Sequence, residues 1–177
     1  MAAERKLRMG LIGGARGFIG PVHRMAAALD GQIELVCGAF SSSAKRSQET
    51  GAELFLPQHR VYDSYDEMLA TEARLPADQR MDFVSVVTPN YLHADIATKA
   101  LQAGFHVLCE KPLTISREQA DALVQTVNNT GLAFCLMHNY SGYPMVKEAR
   151  GRIKAGQIGA VRKVVVEYPQ GWLAGDF

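Results

Sequence analysis

Short apolar runs alternate along this chain with segments whose apolar residues recur every three or four positions, the pattern of strands alternating with helices. Residues 7–12 read as the first strand. Val22, Met25, Ala26 and Leu29 read as the inward face of a helix that begins near Pro21 and stops at Gly31. Residues 33–40 form a nearly continuous apolar run, suited to a strand covered on both faces. Ser41, Ser42 and Ser43 supply caps for a short helix ending near Gly51, and Val61-Tyr62 is a weak third strand. Ser64 and Glu67 have capping-box spacing ahead of Met68 and Leu69, while the polar stretch 71–81, broken by Pro76, reads as a surface loop. Strands at 83–87, 105–109 and 132–137 complete a set of six. A helix capped by Asn90 and closed by Gly104 separates the first two; one capped by Ser116, with Ala120, Leu123, Val124 and Val127 on one face, separates the last two. This alternation implies right-handed crossovers and an α/β, Rossmann-type doubly wound parallel sheet over residues 1–137.

The texture changes after His138. A helix is expected over 144–155, with Met145, Val146, Ala149 and Ile153 inward, and a β-rich strand over 161–168. One helix and one strand cannot bury a core of their own, so residues 138–177 read as the start of an incomplete α+β second domain for substrate binding or oligomerisation.

The first strand runs into a glycine-rich segment, Gly13, Gly14, Gly17, Phe18, Ile19 and Gly20, and then into the first helix. Strand, glycine turn and helix in this order open a dinucleotide fold, in which glycines let the backbone approach a pyrophosphate and the helix N-terminus faces its charge. The match to G-x-G-x-x-G is imperfect: Gly14, Gly17 and Gly20 leave one residue too many in the first gap. A tight strand-to-helix turn without a ligand is the plainer alternative.

Composition narrows the classes. The apolar content of 47% suits a globular core, and a net charge of +1 without a long basic run argues against nucleic acid. The apolar stretches are strand-sized, too short for a membrane span. Arg5, Lys6 and Arg8 ahead of an apolar run imitate a signal peptide, but the run is short and interrupted by glycines and Arg16, so a cytoplasmic protein is expected. Cys37, Cys109 and Cys135, odd in number and set among apolar residues, read as buried free thiols rather than a disulfide or metal site.

Ligands of an open parallel sheet bind beyond the carboxyl ends of its strands, so those ends hold the candidate chemistry. After the second strand stand Ser41 and Ser42, then Lys45 and Arg46, where a carboxylate would be expected for the ribose of NAD. Hydroxyls followed by two cations suit a 2′-phosphate and lean the cofactor towards NADP; solvated caps are the alternative. After the fourth strand come Thr88, Pro89 and Asn90, with His93 one turn on. After the fifth come Glu110, Lys111 and Pro112. Beside a nicotinamide, Glu110 could hold a ribose hydroxyl, and Lys111 could donate to a substrate oxygen and stabilise alkoxide charge during hydride transfer.

The run TPNYLHADIATKALQAGFHVLCEKPL, residues 88–113, resembles the signature of the glucose–fructose oxidoreductase, inositol dehydrogenase and rhizopine-catabolism family, Gfo/Idh/MocA. The stretch HNYSGYPMVKEARGRIKAGQIGAV resembles that family's linker helix and the turn after it. The resemblance implies NAD(P)-dependent hydride transfer at a hydroxyl-bearing carbon of a sugar or cyclitol. It also implies Gly13 or Gly14, Gly17 and Gly20 in the phosphate loop, Thr88, Asn90 and His93 lining the cofactor cleft, Glu110 on the nicotinamide side, Lys111 as catalytic lysine, and a candidate cis bond before Pro112. Family members run about twice this length, so the chain is expected to be a fragment or shortened relative whose second-domain acid–base residues are missing, and association into a homo-oligomer is expected.

Two other readings compete. Tyr143 and Lys147 fit the Y-x-x-x-K of short-chain dehydrogenases, although Pro144 follows the tyrosine directly and no serine stands at the expected distance upstream. The chain could instead be a dinucleotide- or partner-binding module without catalysis.

Overall fold

The computed structural model describes residues 5–171 and 174. The chain forms two compact units, 1–137 and 138–177. The first contains β1 (Leu7–Gly13), α1 (Ile19–Ala28), β2 (Ile33–Ala39), α2 (Ala44–Glu53), α3 (Tyr65–Glu72), β3 (Phe83–Val87), α4 (His93–Gln102), β4 (His106–Cys109), α5 (Arg117–Thr130) and β5 (Phe134–Leu136). The sheet is parallel throughout, in the order β2-β1-β3-β4-β5. The chain moves outward from β1 to β2 and then returns to the other side of β1, so the direction of winding reverses between β1 and β3. That reversal opens a crevice at the carboxyl ends of those two strands.

Both faces of the sheet are covered. Val84 and Val86 of β3 pack with Met68, Ile96, Leu101, Phe105 and Leu123 in the larger core. Leu11, Phe40, Val61 and Val87 form a smaller core on the other side, with Ile19 packed against it. Burying each such side chain contributes about 1.5–3 kcal/mol, which explains why the inner strands are mostly apolar.

The helix ends follow local chemistry. Ser43, Ser64 and Ser116 each accept a hydrogen bond from the backbone three residues on and start α2, α3 and α5. Gly131 takes the left-handed conformation that closes α5.

Several expectations change. The weak third strand is a single parallel bridge between Val61 and Gly38, so the sheet has five strands rather than six. The segment 71–81 is no simple surface loop: α3 runs through Glu72, and both Glu72 and Met81 are fully buried. The Glu72 carboxylate is accommodated because Arg60 donates to both of its oxygens at 2.9 Å, joined by the Tyr62 hydroxyl and the Met81 N–H. Asn90 starts a single 3-10 turn, and Leu92 occupies the cap of α4.

The buried stripe of α1 is Gly20, His23 and Ala27, not Val22, Met25, Ala26 and Leu29; Met25 and Leu29 are exposed. The cause is the close contact of Gly20 with the loop before it, which sets the rotation of the helix. Cys37 and Cys109 are buried as expected, but Cys135 lies exposed on the edge strand β5.

In the second unit, α6 (Pro144–Lys154) has no buried residue, and Met145, Val146 and Ile153 are exposed rather than inward. Residues 161–168 form no strand, and Val164, Val165 and Val166 are exposed. A strand exists only through partners for its backbone groups, and β-propensity supplies none by itself.

Candidate active site

The segment between β1 and α1 is held from both sides. The Ala15 N–H donates to the Phe40 carbonyl at 3.2 Å, and the Arg24 guanidinium donates to the Gly14 carbonyl at 3.1 Å. Gly17 has φ of 90°, a conformation disfavoured for side-chain-bearing residues, and a Cβ there would enter open space. Phe18 at the cap of α1 offers no side-chain acceptor, and the first turn carries no carboxylate. The free N–H groups of that turn are therefore available to an anion.

Gly13 ends β1 directly beside Val87 and Thr88 at the end of β3. The Thr88 hydroxyl oxygen is buried there without a hydrogen-bond partner. Pro89 and Asn90 are exposed just beyond it. His93 is buried and bridges two strand ends: Nδ1 lies 2.8 Å from the Pro112 carbonyl and Nε2 lies 3.0 Å from the Thr88 carbonyl. Both partners are carbonyl acceptors, so a ring with a single N–H braces the rim by donating to one of them while its other nitrogen packs against the second.

One strand further, β4 ends in Cys109 and is followed by Glu110 and Lys111. Burial, reinforced by the neighbouring Glu110 carboxylate, pushes the Cys109 thiol up to about 12, so it stays protonated and unreactive. Glu110 is nearly buried and its two oxygens are both engaged, Oε1 at 2.9 Å from His23 Nε2 and Oε2 accepting the Lys111 N–H at 3.0 Å. Lys111 is exposed, its bond to Pro112 is cis, and among the described residues no carboxylate pairs with its ammonium.

Beyond the end of β2 lies a cleft of about 320 Å³ lined by Arg16, Ser43, Lys45, Arg46 and Glu49. The structure brings Lys45 and Arg46 together with Arg16 of the glycine loop, which sequence reasoning had not placed in the site. Ser41 and Ser42 do not line this cleft: the Ser41 hydroxyl accepts the Ser43 N–H, and Ser43 takes their place. Lys45 has one distant partner, Glu49 at 3.9 Å. Missed as well were His23 and Ser85; the available signal was a polar residue on the helix face that carries Gly20 and Ala27. Among the described residues, no three His, Cys, Asp or Glu side chains stand together as a metal site requires, and no helix is long and apolar enough to cross a membrane.

These features fit a dinucleotide: an uncapped helix start, a glycine with open space beside it, an orphaned hydroxyl and a basic cleft arranged along one crevice. Fold and crevice together define the nucleotide-binding class of doubly wound proteins. The oxidoreductase family with an NAD-binding Rossmann fold, Gfo/Idh/MocA, matches residues 7–140, and the chain belongs to it.

The chain is 33% identical over 175 residues to the uncharacterized oxidoreductase YfiI of Bacillus subtilis, covering 98% of this chain and 44% of that protein. It is 31% identical over 170 residues to levoglucosan dehydrogenase of Pseudarthrobacter phenanthrenivorans, covering 96% and 43%. Among solved structures, an inositol dehydrogenase homolog from Azotobacter vinelandii, complexed with NADH and myo-inositol, superposes with a TM-score of 0.85 at 36% identity, over 89% of this chain and 41% of that one. The chain thus spans less than half the length of these relatives.

Membership of this family removes the short-chain dehydrogenase reading. Tyr143 stands at the cap of α6 in an extended conformation, ahead of Pro144 at the first helical position, rather than inside the helix that carries Lys147.

Proposed function

We propose that this chain is the cofactor-binding, lysine-bearing part of an NAD(P)-dependent oxidoreductase acting at a hydroxyl-bearing carbon of a sugar or cyclitol. The observation that carries this reading is the placement of a lysine ammonium without an ion-pair partner among the described residues, Lys111, at a strand end two places from the open start of α1. The bound nicotinamide would supply or accept the hydride. The N–H groups at the start of α1 hold the pyrophosphate, with Gly13, Gly14, Gly17, Phe18, Ile19 and Gly20 shaping its cradle. Thr88, Pro89 and Asn90 line the middle of the crevice, braced by His93. The Lys111 ammonium donates to the substrate oxygen and, in the oxidative direction, lowers the cost of its deprotonation. Glu110 holds His23 through Oε1 and the lysine's backbone through Oε2, and each oxygen keeps a second lone pair with which to accept a ribose hydroxyl. The substrate class is supported by the names of relatives acting on levoglucosan and xylose.

The basic cleft favours NADP. Arg16, Lys45 and Arg46 line it together with one carboxylate, Glu49, which faces Lys45 at 3.9 Å, and no carboxylate stands at the end of β2 itself to bind a free ribose hydroxyl. We further read residues 138–177 as the beginning of a substrate and oligomerisation domain, and the protein as cytoplasmic, consistent with the buried free thiols of Cys37 and Cys109.

Titration of the 177-residue chain with NADH and NADPH, following nicotinamide fluorescence, tests this reading. Saturable binding with NADPH tighter is expected. Tighter NADH binding would reject the 2′-phosphate assignment, and absence of binding would leave a module without this cofactor.

A further inference from the structure

A line of buried polar groups runs beneath the candidate site. Ser85 of β3 is fully buried, and its hydroxyl oxygen lies 2.8 Å from His23 Nδ1. His23 Nε2 lies 2.9 Å from Glu110 Oε1, and the other oxygen of Glu110 accepts the Lys111 N–H. Strand alternation places this line. Val84 and Val86 face the larger core, so Ser85 faces α1. His23 lies three residues after Gly20, one turn into α1 on its buried stripe.

Chemistry assigns the protons. A carboxylate only accepts, so Nε2 carries hydrogen and donates to Glu110. In the neutral ring Nδ1 then accepts from the Ser85 hydroxyl, and each contact has one donor and one acceptor. Hydroxyl, imidazole and carboxylate in this order imitate a nucleophilic triad, but Ser85 is sealed from any substrate. Buried polar groups of this kind are costly to break and rigid when complete.

We propose that His23 and Ser85 are positioning residues for Lys111, connecting the anion-facing start of α1 to the lysine-bearing end of β4. The proposal rests on the reading of α1 as the pyrophosphate site and Lys111 as the catalytic lysine. A ligand that orders the first turn of α1 fixes His23, His23 fixes the Glu110 carboxylate, and Glu110 fixes the backbone from which the Lys111 side chain departs. Without His23, the Glu110 carboxylate loses its buried partner and turns towards solvent, releasing the Lys111 N–H.

Amide hydrogen exchange of the full chain, with and without NADH, tests this. In His23→Leu, exchange at the Lys111 amide accelerates about tenfold or more relative to the core amides of Val84 and Val86. In His23→Gln, whose amide offers an acceptor and a donor at similar separation, it returns to within about threefold of the parent rate. NADH slows Lys111 exchange in the parent and in His23→Gln, but not in His23→Leu, which still binds it. Unchanged Lys111 exchange in His23→Leu, or an equal acceleration of all core amides, overturns the proposal. If the parent binds neither NADH nor NADPH, the functional reading fails while the ligand-free comparison still decides the link. If His23→Leu does not fold, Ser85→Ala serves instead: a smaller acceleration confined to the region of Lys111 supports the connection, and none rejects it.

Discussion

A Cβ placed on Gly20 would lie 2.5 Å from the Gly14 carbonyl oxygen and 2.6 Å from the Gly14 Cα, so helix and loop meet backbone to backbone. No flexible side chain can yield there. Gly20→Ala therefore pushes α1 away from the loop, and overpacking of this kind costs about 1–3 kcal/mol. We expect a lower denaturation midpoint together with at least about tenfold weaker NADH binding, because the displaced helix start no longer faces the pyrophosphate. Retention of parental NADH affinity by a folded Gly20→Ala variant would remove the glycine loop from the site.

Arg16 and Arg46 approach the same cleft from different segments, the glycine loop and α2. Each is exposed and neither has an ion-pair partner among the described residues. Charge-assisted bonds to a phosphate are strong, so Arg16→Ala and Arg46→Ala should each weaken NADPH binding about tenfold. NADH binding should change little, since NADH lacks the 2′-phosphate. Equal weakening of both cofactors would assign these arginines to the pyrophosphate or to general attraction.

The strand–loop–helix opening and the Glu110-Lys111-Pro112 strand end were legible because their signals are local: an apolar run, glycines at a turn, a charged pair where a buried strand stops. The rotation of α1 was not. Periodicity alone selected Val22, Met25 and Leu29, whereas the Gly14–Gly20 contact turns His23 and Ala27 inward. His23 itself was hidden because its partners Ser85 and Glu110 are 62 and 87 residues away. Arg16 was passed over for a similar reason, since the residue that brings the loop to α2 is the Phe40 carbonyl bound by Ala15. The failure of 161–168 to form a strand is different in kind: the valines were read correctly as β-formers, but a ladder needs a neighbour.

Lys111→Ala separates chemistry from binding. The side chain is exposed and has no ion-pair partner among the described residues, so its removal should cost little stability. With a cyclitol or sugar substrate, turnover should fall by about 10²–10⁴, the usual contribution of a positioned proton donor. NADPH affinity should stay within about twofold of the parent value. Equal loss of turnover and cofactor affinity would make Lys111 a binding residue.

Asp82 gives the fold a defined response to acid. It stands just before β3 and accepts two hydrogen bonds from the Arg5 guanidinium, at 2.7 and 2.9 Å, and one from the Arg8 N–H at 2.7 Å. Its partial burial works against the charged form, but the hydrogen bonds from Arg5 and from the backbone and side chain of Arg8 outweigh it and hold the carboxyl well below the usual range. A carboxyl whose folded value is depressed stabilises the fold fully above its unfolded value, about 4, and loses that contribution as the pH falls through the lower folded value. Asp82→Asn has no charge to lose. The difference in denaturation midpoint between parent and variant should therefore be constant above about pH 5 and shrink steadily below about pH 4. A difference that stays the same down to about pH 2 would mean that Asp82 acts through shape and neutral hydrogen bonding, with its charge contributing nothing to the joint between β1 and β3.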